Sequence, residues 1–363
     1  MEASEISPLS HSRAPIISDQ MPVISVCVPT YNGRDHLAEC IGSIRSQTFT
    51  DFEVVVCDDQ SSDGTLDLAR QLAEGDERFR FIANPLRLGL VGNWNNCVNQ
   101  ARGEWIKFVF QDDTIAPSCL ETLLAVCQRH GKPFGFCERG FIFEDGTPET
   151  LRGWFLGHKQ RIHADYNASP VITPEQAIRI AVQESSHNLV GEPTVTLIKK
   201  SLFREIGGFD EALIQLCDSE FWCRVMINYG AAFVPESLAA FRIHANAATA
   251  LNHRERTFRG RVLDPLIIQY RIAFAPQFKR IRNPNITGRT TLSLRAECAF
   301  NAADAWRQAR KTPNAATATS PGTMLAEWNA VKSRYPGLQF LVGPGLIIKL
   351  GRKLKSIFTR IAA

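Results

Sequence analysis

At 363 residues, 44% of them apolar, the chain is long enough for one large domain with an appendage or for two domains. A net charge of +4 on that length gives no case for nucleic-acid binding. Ten cysteines scattered singly, without C-x-x-C or Cys/His ligand spacing, speak against a zinc framework or a disulfide scaffold and fit a reducing cytoplasm. Residues 1–21 hold no apolar core of signal-peptide length and are expected to form a flexible leader, and no apolar run reaches transmembrane length.

The β-rich run Val23 to Val28, closed by Pro29, predicts a buried strand, and Pro29-Thr30-Tyr31-Asn32-Gly33 a loop. Leu37, Ile41, Ile44 and Thr48 fall at helical spacing after Asp35. A second strand over 52–57 leads into the loop Asp58-Asp59-Gln60-Ser61-Ser62-Asp63-Gly64-Thr65, and Leu66, Ala69 and Leu72 continue as a helix. Residues 79–82 predict a third strand, 93–101 a third helix and 104–110 a fourth strand, with Gly103 as the stop between the last two. This alternation predicts an α/β fold with a mainly parallel sheet flanked by helices, whose ligands sit beyond the carboxyl ends of strands.

Two acidic pairs, Asp58-Asp59 and Asp112-Asp113, occupy that edge. Adjacent carboxylates repel and resist desolvation, so a cation or a polyhydroxy ligand is expected to satisfy them. The competing reading of each pair is a helix cap. Leu120, Leu123, Leu124 and Cys127 supply a helix after Pro117, and 134–200 is expected to be an irregular half, with aromatic pieces at 134–143 and a polar stretch at 153–168. A strand over 194–198 and a short helix ending at Gly207-Gly208-Phe209-Asp210 come next. Phe221, Trp222, Val225, Met226 and Tyr229 then form a helix headed by Asp218 and Glu220.

After Arg242-Ile243-His244 the alternation stops. Residues 254–310 read as helix-rich with a break at 276–288, 311–322 as a linker, and the end of the chain as a basic amphipathic stretch from Leu346 to Ile361. That stretch suits either domain packing or docking on an anionic membrane.

In their order and spacing, Pro29-Thr30-Tyr31-Asn32, the 58–65 loop, Gly103-Glu104-Trp105-Ile106 leading to Gln111-Asp112-Asp113, and Gly207-Gly208-Phe209-Asp210 resemble the family 2 glycosyltransferases with a GT-A fold. The resemblance covers about 22–245, a nucleotide-binding half at 22–115 and an acceptor half at 116–245, and leaves 246–363 as a helical C-terminal region. It implies inverting transfer of a sugar from a UDP- or dTDP-sugar to a glycan or lipid-linked glycan, with Mn²⁺ or Mg²⁺ as cofactor, at the cytoplasmic side of a membrane. Carried over by motif, Pro29, Thr30, Tyr31, Asn32, Asp59 and Asp112 bind the nucleotide, and Asp112, Asp113 and His244 hold the metal. Asp218 is the general base, and Glu192 and Trp222 face the acceptor, packing being the competing role for Trp222.

The chain departs from the common D-x-D form: Phe110 stands two places before Asp112, and Cys217 replaces the acid that normally precedes the base. A nucleotidyltransferase would open with a Gly-rich, Arg-containing loop, and a dinucleotide oxidoreductase with G-x-G-x-x-G; Pro29 to Gly33 supplies neither. A non-catalytic sugar-binding protein would have no need of Asp59, Asp112, Asp113 and Asp218 together.

Overall fold

The computed structural model describes residues 21–166, 169–183, 188–244, 247, 250–252, 256–311 and 323–361, the side chains of 158–166, 183 and 353–361 aside. The expected leader, up to residue 20, and the expected linker, from residue 312, lie outside the described residues. Strands β1 (Ile24–Thr30), β2 (Phe52–Asp58), β3 (Phe79–Ala83) and β4 (Trp105–Phe108) alternate with helices α1 (Leu37–Arg45), α2 (Thr65–Leu72) and α3 (Gly89–Gln100). The four strands pair in parallel in the order β3-β2-β1-β4. Every residue of β1 and β2 is buried, as covering both faces of a parallel strand requires. The chain winds outward from β1 to β3 and returns to set β4 on the other side of β1, which opens a crevice at the ends of β1 and β4.

The next elements are β5 (Thr114–Ile115), α4 (Cys119–Arg129), β6 (Phe134–Phe143), α5 (Glu149–Tyr166), β7 (Val171–Ile172), α6 (Pro174–Gln183), β8 (Thr196–Lys199), α7 (Ser201–Glu205), α8 (Cys217–Tyr229) and β9 (Ala231–Ile243). They extend the sheet as β4-β8-β6-β9-β5, with β7 also on β9, to nine strands. Because β8 is antiparallel to both β4 and β6 while β6 and β9 are parallel, β1 to β4, β6 and β9 all run one way. Their carboxyl ends therefore share one edge. Phe143 pairs with Ile243, so residues 144 and 244 leave the sheet side by side.

Three expectations are corrected. β4 stops at Phe108, two residues early, and Phe110 turns inward to stack on Trp94 at 4.7 Å. Helix α3 begins at Gly89 rather than 93 because Asp59, distant in sequence, accepts from the Leu88 and Gly89 N–H groups. The polar stretch expected to be irregular is helical to Tyr166, with Phe155 buried against Phe141 and Phe241. One inward aromatic per several polar residues leaves no helical stripe to read.

The C-terminal region is helical: α9 (Asp264–Phe274), α10 (Pro284–Thr287), α11 (Thr291–Ala309), α12 (Met324–Arg334) and α13 (Gly337–Ile361). The expected break at 276–288 contains a 3₁₀ segment, Pro276–Arg282, and the short α10. Helices α11 and α13 approach closely through small residues. A Cβ on Gly345 would fall 1.9 Å from the Ala299 carbonyl oxygen.

Candidate active site

At the β1/β4 crevice the Gln111 side chain bridges the two strand ends, accepting from the Tyr31 N–H at 2.8 Å and donating to the Tyr31 carbonyl at 3.1 Å. A Cβ at Gly33 would sit 2.0 Å from the Gln111 side chain, so a larger residue there would displace that bridge. Asn32 and Gln60 hold left-handed backbone at φ 45° and 63°, a conformation that costs a non-glycine residue on the order of 1 kcal/mol. Both lie at the end of a strand, on loops tied together by Asn32 N–H to Ser61 Oγ and Ser62 N–H to Asn32 Oδ1, each at 2.9 Å.

Of the expected nucleotide contacts, Pro29 and Thr30 are the buried last residues of β1 rather than loop residues, and Thr30 Oγ1 donates to Asp58 at 2.9 Å. Tyr31 projects beyond them, 37% exposed, with the Arg87 guanidinium 3.9 Å over its ring. Asp59 is 2% exposed and accepts from Asn84 at 3.0 Å as well as from Leu88 and Gly89. Asn84 and Asn93 extend this polar network to the carbonyls of Thr30 and Cys57.

The Asp112-Asp113 pair divides. Asp113 is fully buried, takes the Thr194 hydroxyl on one oxygen and the Arg242 N–H at 3.0 Å on the other, and is held well above the usual carboxylate range by burial and then by the charge of Asp112. Both Asp113 oxygens thus serve the interior, and of the two carboxylates expected at the metal it is Asp112 whose side chain stays partly exposed. Asp112 faces the crevice, and its Oδ2 lies 3.0 Å from His244 Nε2. That hydrogen bond raises the His244 pKa. One hard oxygen and one imidazole nitrogen on partly exposed side chains fit a divalent cation.

Asp218 stands in the first turn of α8, whose N-terminus lies at the same sheet edge because α8 leads into the start of β9. Its carboxylate accepts from Asn188 Nδ2 at 2.7 Å and the Ser219 N–H at 2.6 Å. Burial, then the charge of Glu192, pushes its pKa up to about 7. Glu192 is paired with Arg139 at 2.9 Å, and its charge acts on Asp113 as well as Asp218, so this one segment faces both halves. Trp222 takes the packing place that competed with acceptor contact: it is 1% exposed, stacks on Phe134 and donates to the Gly191 carbonyl at 3.0 Å, which ties it to the Glu192 segment from the core.

Gln111 and Thr194 stand inside the quoted motifs, but their partners lie far away in the chain. Asn188, Arg139 and the structural role of Arg242 carry no local signal.

A doubly wound sheet with carboxylates gathered at its switch point defines a nucleotide-dependent α/β enzyme. Residues 25–184 match the model described as glycosyl transferase family 2. An uncharacterized protein of Mycobacterium tuberculosis is 31% identical over 259 residues, 69% of this chain and 79% of that one. The GalNAc(5)-diNAcBac-PP-undecaprenol beta-1,3-glucosyltransferase of Campylobacter jejuni is 38% identical over 119 residues, 32% of this chain and only 38% of that one. Among solved structures, a mannosyltransferase of Pyrobaculum calidifontis in complex with GDP-Man and Mn²⁺ superposes with a TM-score of 0.52 at 19% identity, covering 92% of this chain and 88% of that one. The chain belongs to glycosyltransferase family 2 and has the GT-A fold.

Proposed function

We propose that the protein moves a sugar from a nucleoside-diphosphate donor, UDP- or dTDP-linked, to a hydroxyl of a glycan or lipid-linked glycan, with inversion, in the building of a cell-surface polysaccharide. The single observation that carries this reading is Asp218: a carboxylate raised to about 7, fixed by Asn188 and Ser219, at the edge where Asp112 and His244 also stand. A group with that pKa takes up a proton near neutrality.

In the proposed reaction the acceptor hydroxyl gives its proton to Asp218 as its oxygen bonds to the anomeric carbon. The bond from that carbon to the phosphate oxygen breaks, and its electron pair leaves with the nucleoside diphosphate. Tyr31, backed by Arg87, offers a face for the base, and the Asn32 and Gln60 loops shape the nucleotide cleft. Asp112 and His244 are the residues that would hold Mn²⁺ or Mg²⁺, which when bound supplies Lewis-acid stabilisation of the departing diphosphate. Glu192, with Arg139, binds an acceptor hydroxyl. The GDP-Man and Mn²⁺ of the Pyrobaculum neighbour support a nucleotide-sugar donor and a divalent cation, and the PP-undecaprenol in the name of the Campylobacter relative supports a lipid-linked acceptor.

No described helix is long and apolar enough to cross a membrane. On α13, Phe340, Ile347 and Leu350 are exposed at 72%, 74% and 59%, which supports peripheral contact with the inner membrane face, where lipid-linked acceptors reside. The test is turnover of labelled UDP- and dTDP-sugars with Mn²⁺, Mg²⁺ or chelator, with the product's anomeric configuration read by NMR. Inverted product formed only with a cation supports the reading, and retention of configuration or full activity in chelator overturns it.

A further inference from the structure

Next to Asp112 and His244 stand two side chains that the proposed transfer does not use. His36 begins α1, beyond the end of β1, and Glu144 follows β6. The parallel register that pairs Phe143 with Ile243 sets Glu144 beside His244. His36 Nε2 lies 3.0 Å from Glu144 Oε1, the His36 and His244 rings meet edge to face at 5.1 Å, and one ligand atom from each of His36, Glu144 and His244 lies within 4.8 Å of the other two. All three are partly buried, and His244 also reaches Asp112 Oδ2 at 3.0 Å.

Four strand ends thus bring two imidazoles and two carboxylates together. Mg²⁺ takes one or two carboxylates and fills its shell with water and phosphate, so a site built for it needs no imidazole. Imidazole nitrogens with carboxylate oxygens suit a first-row transition metal such as Mn²⁺ or Zn²⁺. We propose that His36 and Glu144 join Asp112 and His244 in a transition-metal site that holds its cation before the donor arrives and discriminates against Mg²⁺. The inference rests on the reading of Asp112 and His244 as cation ligands, and extends it from a donor-dependent contact to a resident site.

The experiment is a titration of the full, nucleotide-free chain with Mn²⁺, the free ion being followed by its electron paramagnetic resonance signal in excess Mg²⁺. We expect one Mn²⁺ bound per chain despite the Mg²⁺. His36→Ala and Glu144→Gln should each weaken it at least about tenfold, the lower range for disturbing a metal shell. In the unmutated chain the diamagnetic Zn²⁺ should shift the ring-nitrogen resonances of both His36 and His244, a readout of direct ligation that holds even if a variant folds poorly. Equal Mn²⁺ affinity in wild type and both variants, or a Zn²⁺ ligation shift of His244 without His36, overturns the site. Either result leaves Asp112 and His244 free to act with the donor present, and the transfer reading is tested separately, by donor turnover in Asp112→Asn.

Discussion

Neighbouring carboxylates in this protein have opposite fates, and their hydrogen bonds decide which. Asp113→Ala strips the Thr194 hydroxyl and the Arg242 N–H of their partner, so denaturant unfolding should record a loss of about 1–3 kcal/mol. Asp112→Asn keeps the side chain's shape and a hydrogen-bonding oxygen toward His244, so it should cost no more than about 1 kcal/mol, while reducing cation-dependent turnover. Equal destabilisation by the two would refute the division.

For Asp218 the sign of the pH dependence follows from its raised pKa of about 7. The base form is lost as pH falls through that value, so kcat/KM should drop about tenfold per unit below it. Glu192→Gln removes a charge that raises the Asp218 pKa, and the acid limb should move to lower pH. An unmoved limb would place the titrating group elsewhere. The place of Asp218 at the head of an apolar helix was legible in the sequence; its hydrogen-bond partner Asn188 and the nearby Arg139 were not, because their contacts span tens of residues.

Among the elements, α8 depends on a helix that the family model does not reach. Asp264, fully buried at the start of α9, accepts from the N–H groups of Ile214, Gln215 and Leu216, the turn that leads into Cys217 and Asp218. Arg271 of α9 reaches Asp210 at 2.7 Å and Glu220 at 3.2 Å. Asp264→Ala leaves those donors without their acceptor and removes the carboxylate 3.6 Å from the buried Arg259, and should cost about 3–5 kcal/mol by denaturant unfolding, the range for breaking a buried pair. A cost under about 1 kcal/mol would mean that α9 does not brace the turn before Asp218. Strands β1 and β2 were legible as unbroken apolar runs, since burial on both faces requires them. Helix α5 and the start of α3 were not: one lacks a stripe, and the other is set by a cap supplied from Asp59.

Across the whole molecule, the C-terminal helices pack closely and leave apolar side chains exposed. Ala299 and Gly345 let α13 lie against α11, so Gly345→Val should force the helices apart and lower stability by about 1–3 kcal/mol. The outer side of α13 keeps Ile347 and Leu350 exposed, and on the proposed reading Ile347→Glu with Leu350→Glu should reduce cosedimentation with anionic vesicles while solution turnover is unchanged. Equal cosedimentation would remove the membrane role. The mainly parallel sheet was implied by the alternation of strands and helices, but its order, with the switch point between β1 and β4, was not. The shared direction of β6 and β9 was not, because it depends on the antiparallel β8 between β4 and β6.

Donor binding and transfer compared in Asp218→Asn test the central claim most directly. With calorimetry for the sugar nucleotide that wild type consumes, and turnover on the same samples, the predicted result is unchanged donor affinity with transfer reduced by about 10²–10⁴-fold. Transfer that persists, or donor affinity lost along with it, would contradict the assignment of Asp218 as the base.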